Sequence, residues 1–321
     1  MKRFMKSEIG AAVIWIAISL LLAAVIAPHL RHAGLNFAAY AATNDTSALV
    51  KDLGESCGRA KFSRYFNRSL MLSALALMPL LFRRIRAIRS TRETANPHAL
   101  LPTPWKSRAA QIATGFAIAA ALLLVTGIGL ELAGAFEMRQ KLPSAGKFLN
   151  KTLIPAIAAP LLEEWLFRGV LLGLWLRFAK PVSACIGTSL LFAFVHFLKP
   201  PAGSEIANPD HALAGFELLG KILLHFTDPN FFVTEFAVLA GIGLILAWTR
   251  LRTRALWFAI GLHAGWIAAF KGFNLIFTKT PDSFLRPWGI GDGLNSGAIP
   301  LAALCLTAYA CHHALKPFSR S

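Results

Sequence analysis

The sequence predicts an all-α membrane protein, a polytopic helical bundle of about eight transmembrane spans. Two observations support this fold class: 55% of the 321 residues are hydrophobic while 15% are charged, and the apolar residues form long runs separated by polar loops. The net charge of +17 does not indicate a nucleic-acid partner, because the lysines and arginines cluster at the ends of the apolar runs. At these positions they can anchor the helices at the surface of a lipid bilayer. The bilayer is therefore the partner that the composition predicts.

Eight apolar runs are long enough to be drawn as spans. A helix rises about 1.5 Å per residue, so about 20 residues cross the hydrocarbon core, and the shorter runs lie near the lower limit. The first run follows Lys2, Arg3 and Lys6 and lacks a convincing small-residue cleavage site, so we predict a retained span and not a signal peptide. The predicted spans are residues 10–30, 69–82, 109–133, 153–176, 183–198, 231–249, 255–270 and 297–315.

The charges of the loops predict the orientation. With a cytoplasmic N-terminus, alternation places most arginines on the cytoplasmic side, where only Glu8 and Glu93 oppose them, as the positive-inside rule requires. Both termini are then cytoplasmic, and the Ala/Leu-rich, loop-poor character is typical of a bacterial cytoplasmic membrane protein. The basic residues assigned to this side are Arg83, Arg84, Arg86, Arg89, Arg92, Arg177, Lys180, Arg250, Arg252, Arg254, Lys316 and Arg320.

The proline-containing segment 86–108 is the most linker-like part of the chain and predicts a domain boundary. We assign residues 1–108 to N-terminal spans with a basic cytoplasmic loop, and residues 109–321 to a second membrane domain. Residues 212–226 have polar groups every four positions, which predicts a short amphipathic helix at the membrane interface. The four cysteines show no Cys-x-x-Cys spacing, and Cys57 is expected in a loop, so neither disulfides nor a zinc ribbon are indicated.

Two adjacent acids, Glu163 and Glu164, lie inside the apolar run 153–176. Acids at bilayer depth are costly unless they are paired, protonated or in a wet cavity, so they are functional candidates. Arg168 follows Glu164 by four residues, on the same helical face, where it can pair with one of the two charges. A buried structural ion pair is the alternative, but one arginine cannot compensate two carboxylates.

Two histidines lie in other apolar runs: His196 at the end of 191–197, and His263 within 256–266. A desolvated glutamate is a competent general base. Histidines supply metal ligands, or hydrogen bonds that hold a water and a developing charge. Acids and histidines together predict a water-activating site, the minimum equipment for hydrolysing an amide within the membrane.

Small residues near these groups carry further expectations. Gly169 and Gly265 are expected to permit close helix approach around the site. Thr188 and Ser189 are expected to form hydrogen bonds back to their own helix.

Three motifs resemble those of the CPBP (CAAX protease and bacteriocin-processing) intramembrane proteases, the group that contains the type II CAAX prenyl endopeptidases. The run Glu163-Glu164-Trp-Leu-Phe-Arg168 resembles the family's Glu-Glu-x-x-x-Arg motif, and Phe192-Ala-Phe-Val-His196 resembles its Phe-x-x-x-His motif. The run from Leu256 to Trp266, with His263 inside it, is similar to the third motif, where a histidine follows a Leu-Trp helix start. Any one motif would be weak evidence, but all three occur in the family's order across about residues 150–275.

The resemblance implies an intramembrane endopeptidase that cleaves a membrane-associated protein or peptide. It implies that Glu163 is the general base that activates water and that Glu164 and Arg168 organise it. His196 and His263 would bind the water, or a metal if one is used, and steady the tetrahedral intermediate.

One position departs from the family pattern. The family usually has Asn or Asp four residues after the third-motif histidine, and this chain has Ile267 there. Loss of one such donor typically costs about 100- to 1000-fold in rate. Trp266 and Asn274 are the candidate replacements.

The residues alone leave the metal question open. Glu163, His196 and His263 could complete a three-ligand zinc site, or they could hold a bare water. Glu-Glu-x-x-x-Arg lacks the two ligands one turn apart of the His-Glu-x-x-His zinc motif. Arg168 would also repel a cation, so we favour a metal-free glutamate mechanism.

Two other functions fit parts of the sequence. A proton-coupled transporter would use the acids and histidines as a relay, but it predicts internal repeats and a polar path across both faces, and neither is found. A non-catalytic membrane partner, such as an immunity or scaffolding protein that kept the fold, is suggested by Ile267 alone.

Overall fold

The structure is a computed structural model that describes residues 8–89, 98–177, 179–198, 206–228, 231, 235–286, 288–291 and 293–318. The regular structure of these residues is helical apart from one short antiparallel pair of strands, so the predicted all-α class is confirmed. The helices are α1 (Glu8–Thr43), α2 (Ala48–Gly58), α3 (Phe62–Arg89), α4 (Trp105–Leu132), α5 (Ala145–Glu164), α6 (Leu172–Trp175), α7 (Pro181–His196), α8 (Ala214–His225), α9 (Ala237–Thr253), α10 (Trp257–Ile276) and α11 (Ala298–Ala314). A π-helical segment, Trp165–Leu171, joins α5 to α6, and the strands are β1 (Phe136–Met138) and β2 (Phe277–Lys279).

The chain divides into two compact units, of which the first is Met1–Glu93 with His196–Asp228 and the second is Thr94–Val195 with Pro229–Ser321. The boundary drawn at residue 108 stays a prediction, since part of the segment 86–108 lies outside the described residues. Arg92, Glu93 and Arg320 of the predicted charge pattern also lie outside them.

In the first unit, α1 packs against α2, α3 and α8. Helix α8 is the amphipathic helix predicted over residues 212–226, and it buries Leu218 and Ile222 while Glu217 pairs with Lys221 at 3.0 Å on its exposed side. A Cβ atom on Gly215 would lie 1.9 Å from the Ala24 carbonyl oxygen, so only glycine permits this contact with α1.

In the second unit, α10 lies at the centre and packs against α4, α5 and α9. Its residues Phe258, Leu262 and Trp266 form an apolar cluster with residues of α4, α9 and α11. A Cβ on Gly265 would lie 2.4 Å from the Phe116 carbonyl oxygen, which confirms the close helix approach expected there. A Cβ on Gly169 would meet Leu256 Cδ1 at an ordinary 3.5 Å, so the helix approach at this position does not depend on glycine, contrary to the expectation.

Helix length and composition identify two of the predicted spans among the described residues. Gly10–Thr43 and Trp105–Leu132 are both long and apolar enough to cross a bilayer. The apolar helices Pro181–His196 and Ala298–Ala314 are shorter. The other predicted spans coincide with helices that are less apolar or are interrupted, so the arrangement of eight spans stays a prediction.

Two further expectations, for Cys57 and Arg250, are wrong. Cys57 was expected in a loop, but it lies in α2, a helix whose first turn is capped by the Ser47 side chain. Arg250 was expected to reach the membrane surface as an anchor, but its residue is 1% exposed. It lies in the last turn of α9. The residue that caps the end of this helix, Arg254, has a left-handed backbone conformation with a φ of 51°.

Candidate active site

The adjacent acids lie where the helix changes its geometry. Helix α5 ends at Glu164, and the π-helical segment that follows carries Arg168. A π-helical turn holds an extra residue and rotates the side chains that follow it, and such turns are frequent at functional sites. The chain here continues as helix from Ala145 to Trp175, so both acids and the arginine are held on one rigid element.

Glu164 is the centre of a buried cluster. Its side chain is fully buried, and its Oε1 accepts hydrogen bonds from Arg168 Nη1 at 3.0 Å and from His263 Nδ1 at 2.8 Å. The ion pair expected from the four-residue spacing is therefore present. Because a carboxylate only accepts hydrogen bonds, we assign the proton of the neutral imidazole to Nδ1, which leaves Nε2 as an acceptor.

Glu163 has a different environment from its neighbour. Its side chain is 31% exposed, and its Oε2 lies 3.8 Å from His263 Nε2. His263 of α10 thus faces both acids, with Nδ1 bonded to Glu164 and Nε2 turned towards Glu163. The accessible acid is the one that a water molecule or substrate reaches more easily.

Arg168 is enclosed on three sides. Its Nη2 donates to the Gly243 carbonyl oxygen of α9 at 3.2 Å, opposite the bond from Nη1 to Glu164. Its Cζ lies 4.4 Å from the centre of the Phe192 ring of α7, a cation–π contact. The same ring packs edge-on against His263, with centroids 6.0 Å apart. Phe192 therefore joins the second motif to the groups of the first and third.

His196 is the last residue of α7, four positions after Phe192. The helix joins the two compact units, and His196 is counted with the first unit while the acids and His263 belong to the second. Its participation in the site stays a prediction from the motif.

The predicted metal ligands do not form a metal centre in the described part of the chain. Among those residues, no group of three His, Cys, Asp or Glu side chains is placed to hold one ion. His263 already uses Nδ1 to bond Glu164, whose charge Arg168 balances. Zinc-bound histidines commonly donate their second ring N–H to a carboxylate in this way, so the bond does not decide between a zinc ion and a bare water, and the metal-free mechanism stays a prediction.

The two candidate replacements for the amide missing at position 267 both lie in α10. Trp266 packs into the apolar cluster of α4, α9 and α11. Asn274 lies near the end of α10, where its carbonyl oxygen accepts a hydrogen bond from Arg139 Nη2 at 3.3 Å. The replacement of the missing amide by Trp266 or Asn274 therefore stays a prediction.

The sequence did not identify two contributors to the site. Phe192 begins the second motif, but its residue type alone indicated no role. Its spacing of four residues from His196 was the signal that placed both residues on one helical face. Gly243 acts through a backbone carbonyl, which no residue type reveals, and its contact with Arg168 spans 75 positions of sequence.

The fold and the site define a membrane protein whose apolar helices bury a cluster of an acid, an arginine and a histidine. Polar groups buried at such a depth serve a function. Residues 145–269 match the family model of the Rce1-like type II CAAX prenyl endopeptidases. The matched segment holds all three motifs, and the recognition made from the motifs is confirmed for this part of the chain. No curated protein and no solved structure matches the chain.

Proposed function

We propose that the protein is an intramembrane endopeptidase that hydrolyses a peptide bond of a membrane-associated protein or peptide. The observation that carries the proposal is the bridging position of His263, which bonds the buried Glu164 and faces the accessible Glu163 within one apolar unit. The match of residues 145–269 to a family of membrane endopeptidases supports the same reaction class.

Glu163 is the general base in this proposal. It removes a proton from water as the water oxygen attacks the scissile carbonyl carbon, and it then donates that proton to the leaving amide nitrogen as the C–N bond breaks. The products are a carboxylic acid and an amine, so the proton is returned and no other reactant is required. The acyl chemistry needs no covalent intermediate on the protein.

Glu164 and Arg168 are positioning residues. The arginine balances the charge of the buried acid, and the acid fixes the ring and tautomer of His263 through Nδ1. With Nδ1 protonated, Nε2 of His263 accepts a hydrogen bond from the attacking water. His196 is proposed to steady the tetrahedral intermediate from the end of α7.

The site is proposed to lie within a bundle of about eight spans with both termini on the cytoplasmic side. The clustering of arginines at the ends of apolar runs supports this orientation. A bacterial cytoplasmic membrane is the proposed location.

The test is a comparison of host cells that produce the wild-type protein, the Glu163→Gln variant or the Glu137→Gln control. Glu137 lies exposed on β1, so the control makes the same chemical change outside the site. Membrane-associated proteins and peptides are compared by mass spectrometry for fragments that appear with the wild type. We expect these fragments to be absent with Glu163→Gln and present with Glu137→Gln, at equal amounts of the protein in the membrane.

Equal fragment patterns in all three strains would contradict the proposal and favour the non-catalytic alternative. A transporter would be favoured by two results together. No membrane protein would be cut in the wild-type or the Glu163→Gln strain, and Glu163→Gln would change proton-coupled uptake into vesicles.

A further inference from the structure

We propose that Gly243 of α9 is a positioning residue of this site, which sets the place of Arg168 and, through it, the Glu164–His263 pair. The inference rests on the proposed function for its effect on cleavage. Its effect on His263 can be measured without any substrate.

The first support is the carbonyl group of Gly243. Arg168 is buried, and its two terminal nitrogens are held from opposite sides, Nη1 by Glu164 at 3.0 Å and Nη2 by the Gly243 oxygen at 3.2 Å. A guanidinium group is planar and rigid, so a shift of either partner moves the other bond. The position of the α9 backbone is therefore coupled to the carboxylate that orients His263.

The second support is that Gly243, as a glycine, has no Cβ atom. A Cβ atom there would lie 2.9 Å from Ser189 Cβ and 3.0 Å from Ser189 Cα. These are the backbone and the first side-chain atom of α7, which cannot swing away, so α7 and α9 would have to separate. Helix α7 also carries Phe192, whose ring covers the guanidinium of Arg168. Separation of the two helices therefore loosens the arginine on two sides at once.

Ser189 completes the contact through its small size. It was expected to bond back to its own helix, as Thr188 does through the Ala184 oxygen at 2.8 Å. Instead, the Ser189 hydroxyl oxygen is buried and has no hydrogen-bond partner among the described residues. The expectation for Ser189 is thus wrong, and what the structure uses at this position is a side chain short enough to face Gly243.

The same helix offers a matched control. A Cβ on Gly241 would meet only Leu304 Cδ1 at 3.1 Å and Leu301 Cδ1 at 3.8 Å, which are the mobile ends of two side chains of α11. Glycine to alanine at positions 241 and 243 changes helix propensity equally. The two substitutions differ in whether a rigid or a flexible neighbour has to move.

The experiment compares the full-length wild type with Gly243→Ala, Gly241→Ala, Ser189→Gly and the double variant Gly243→Ala/Ser189→Gly, each in lipid bilayers. One readout is the ¹⁵N spectrum of the His263 imidazole, assigned by its absence in His263→Gln. The other readout is the rate at which the fragments defined by the Glu163→Gln comparison appear.

We expect Gly243→Ala to shift the Nδ1 resonance of His263 and to slow cleavage by about tenfold or more, because small misplacements in an active site cost large factors in rate. Gly241→Ala should change neither readout. The double variant should move both readouts back towards the wild type, since Ser189→Gly removes the 2.9 Å contact with Cβ while the 3.0 Å contact with Cα remains. Recovery by a second substitution at the contact is not expected from a merely destabilised protein.

The proposal is overturned if Gly243→Ala and Gly241→Ala give the same His263 spectrum, or if the double variant does not move back towards the wild type. Should Gly243→Ala fail to accumulate, the double variant decides, because the proposal requires it to accumulate and to keep the hydrogen bond at Nδ1 of His263 in its spectrum. A wild type that cuts nothing, with the spectral changes as expected, would refute the proposed function and leave the positioning role intact.

Discussion

Two buried arginines of the second unit, Arg168 and Arg250, differ in what surrounds them. Both residues are 1% exposed. Arg168 has a carboxylate, a carbonyl oxygen and an aromatic ring within contact distance. Arg250, by contrast, has no hydrogen-bond partner for Nε or Nη1 among the described residues.

The difference shows that burial of a charge does not by itself mark a site. A buried ion is costly wherever it lies, and only the region around Arg168 repays the cost with a carboxylate that also binds a histidine. That convergence of an acid, an arginine and a histidine from two helical elements distinguishes the site region from the end of α9. The predictions below test this contrast, from the largest expected effect to the smallest.

Arg168→Ala is expected to lower the free energy of unfolding by about 3–5 kcal/mol, because it leaves Glu164 buried without its countercharge. The measurement is denaturant unfolding of the purified protein in detergent, together with the amount of folded protein in the membrane. The double variant Arg168→Met/Glu164→Leu should recover most of that stability and none of the cleavage. Wild-type stability of Arg168→Ala would show that Glu164 is not held as a charged group.

His263→Ala is expected to slow cleavage by about 100-fold or more, the size of effect usual for loss of a residue that handles the reacting proton. It should also cost about 1–3 kcal/mol in unfolding, because Glu164 loses a hydrogen-bond donor. His313→Ala, at an exposed position on α11, is the control and should change neither value. Cleavage by His263→Ala at the rate of the control would remove the histidine from the site.

Ile267→Asn tests the one departure from the family motif. We expect no gain in cleavage, because the three intact motifs favour a donor supplied by another group. Stability should fall by up to about 1–3 kcal/mol, the cost of a buried amide that gains no hydrogen bond. The rate of fragment formation and the unfolding midpoint measure the two effects. A clear gain of activity would show that the missing amide is a real deficit and that the natural site is weakened.

Arg250→Met is the counterpart of the change at Arg168. Replacing a buried charge that lacks hydrogen bonds at Nε and Nη1 with an apolar side chain of similar length is expected to be neutral or stabilising. Cleavage should be unchanged, because Arg250 is not placed in the site. A loss of stability comparable to that of Arg168→Ala would mean that Arg250 has a partner as important as Glu164.

The sequence predicted those parts of the fold and site that depend on residues near each other in the chain. The helical class followed from apolar runs, the ion pair of Glu164 and Arg168 from their spacing, and helix α8 from the repeat of Glu217 and Lys221. The ordered motifs brought His263 into the prediction, and the structure places it against both acids.

The features that the sequence did not predict depend on the backbone or on distant neighbours. The π-helical turn after Glu164 changes which side chains share a face, and no residue type announces it. Arg250 ends an apolar run beside Arg252 and Arg254, so its pattern resembled a surface anchor, and only tertiary packing buries it. Gly243 contributes a carbonyl oxygen, a group that every residue has.

The central claim is that the neighbouring acids have separate roles, with Glu163 in the chemistry and Glu164 in the support of His263. The most direct test measures cleavage rate and unfolding midpoint for Glu163→Gln and Glu164→Gln side by side, with purified full-length protein and a peptide containing the cleavage site found in host cells. The account predicts that Glu163→Gln loses cleavage by about 100-fold or more while its unfolding midpoint stays at the wild-type value. Glu164→Gln should lose both cleavage and stability, because it removes the charge that Arg168 balances. Wild-type cleavage by Glu163→Gln, or the same loss of stability in both variants, would contradict the account.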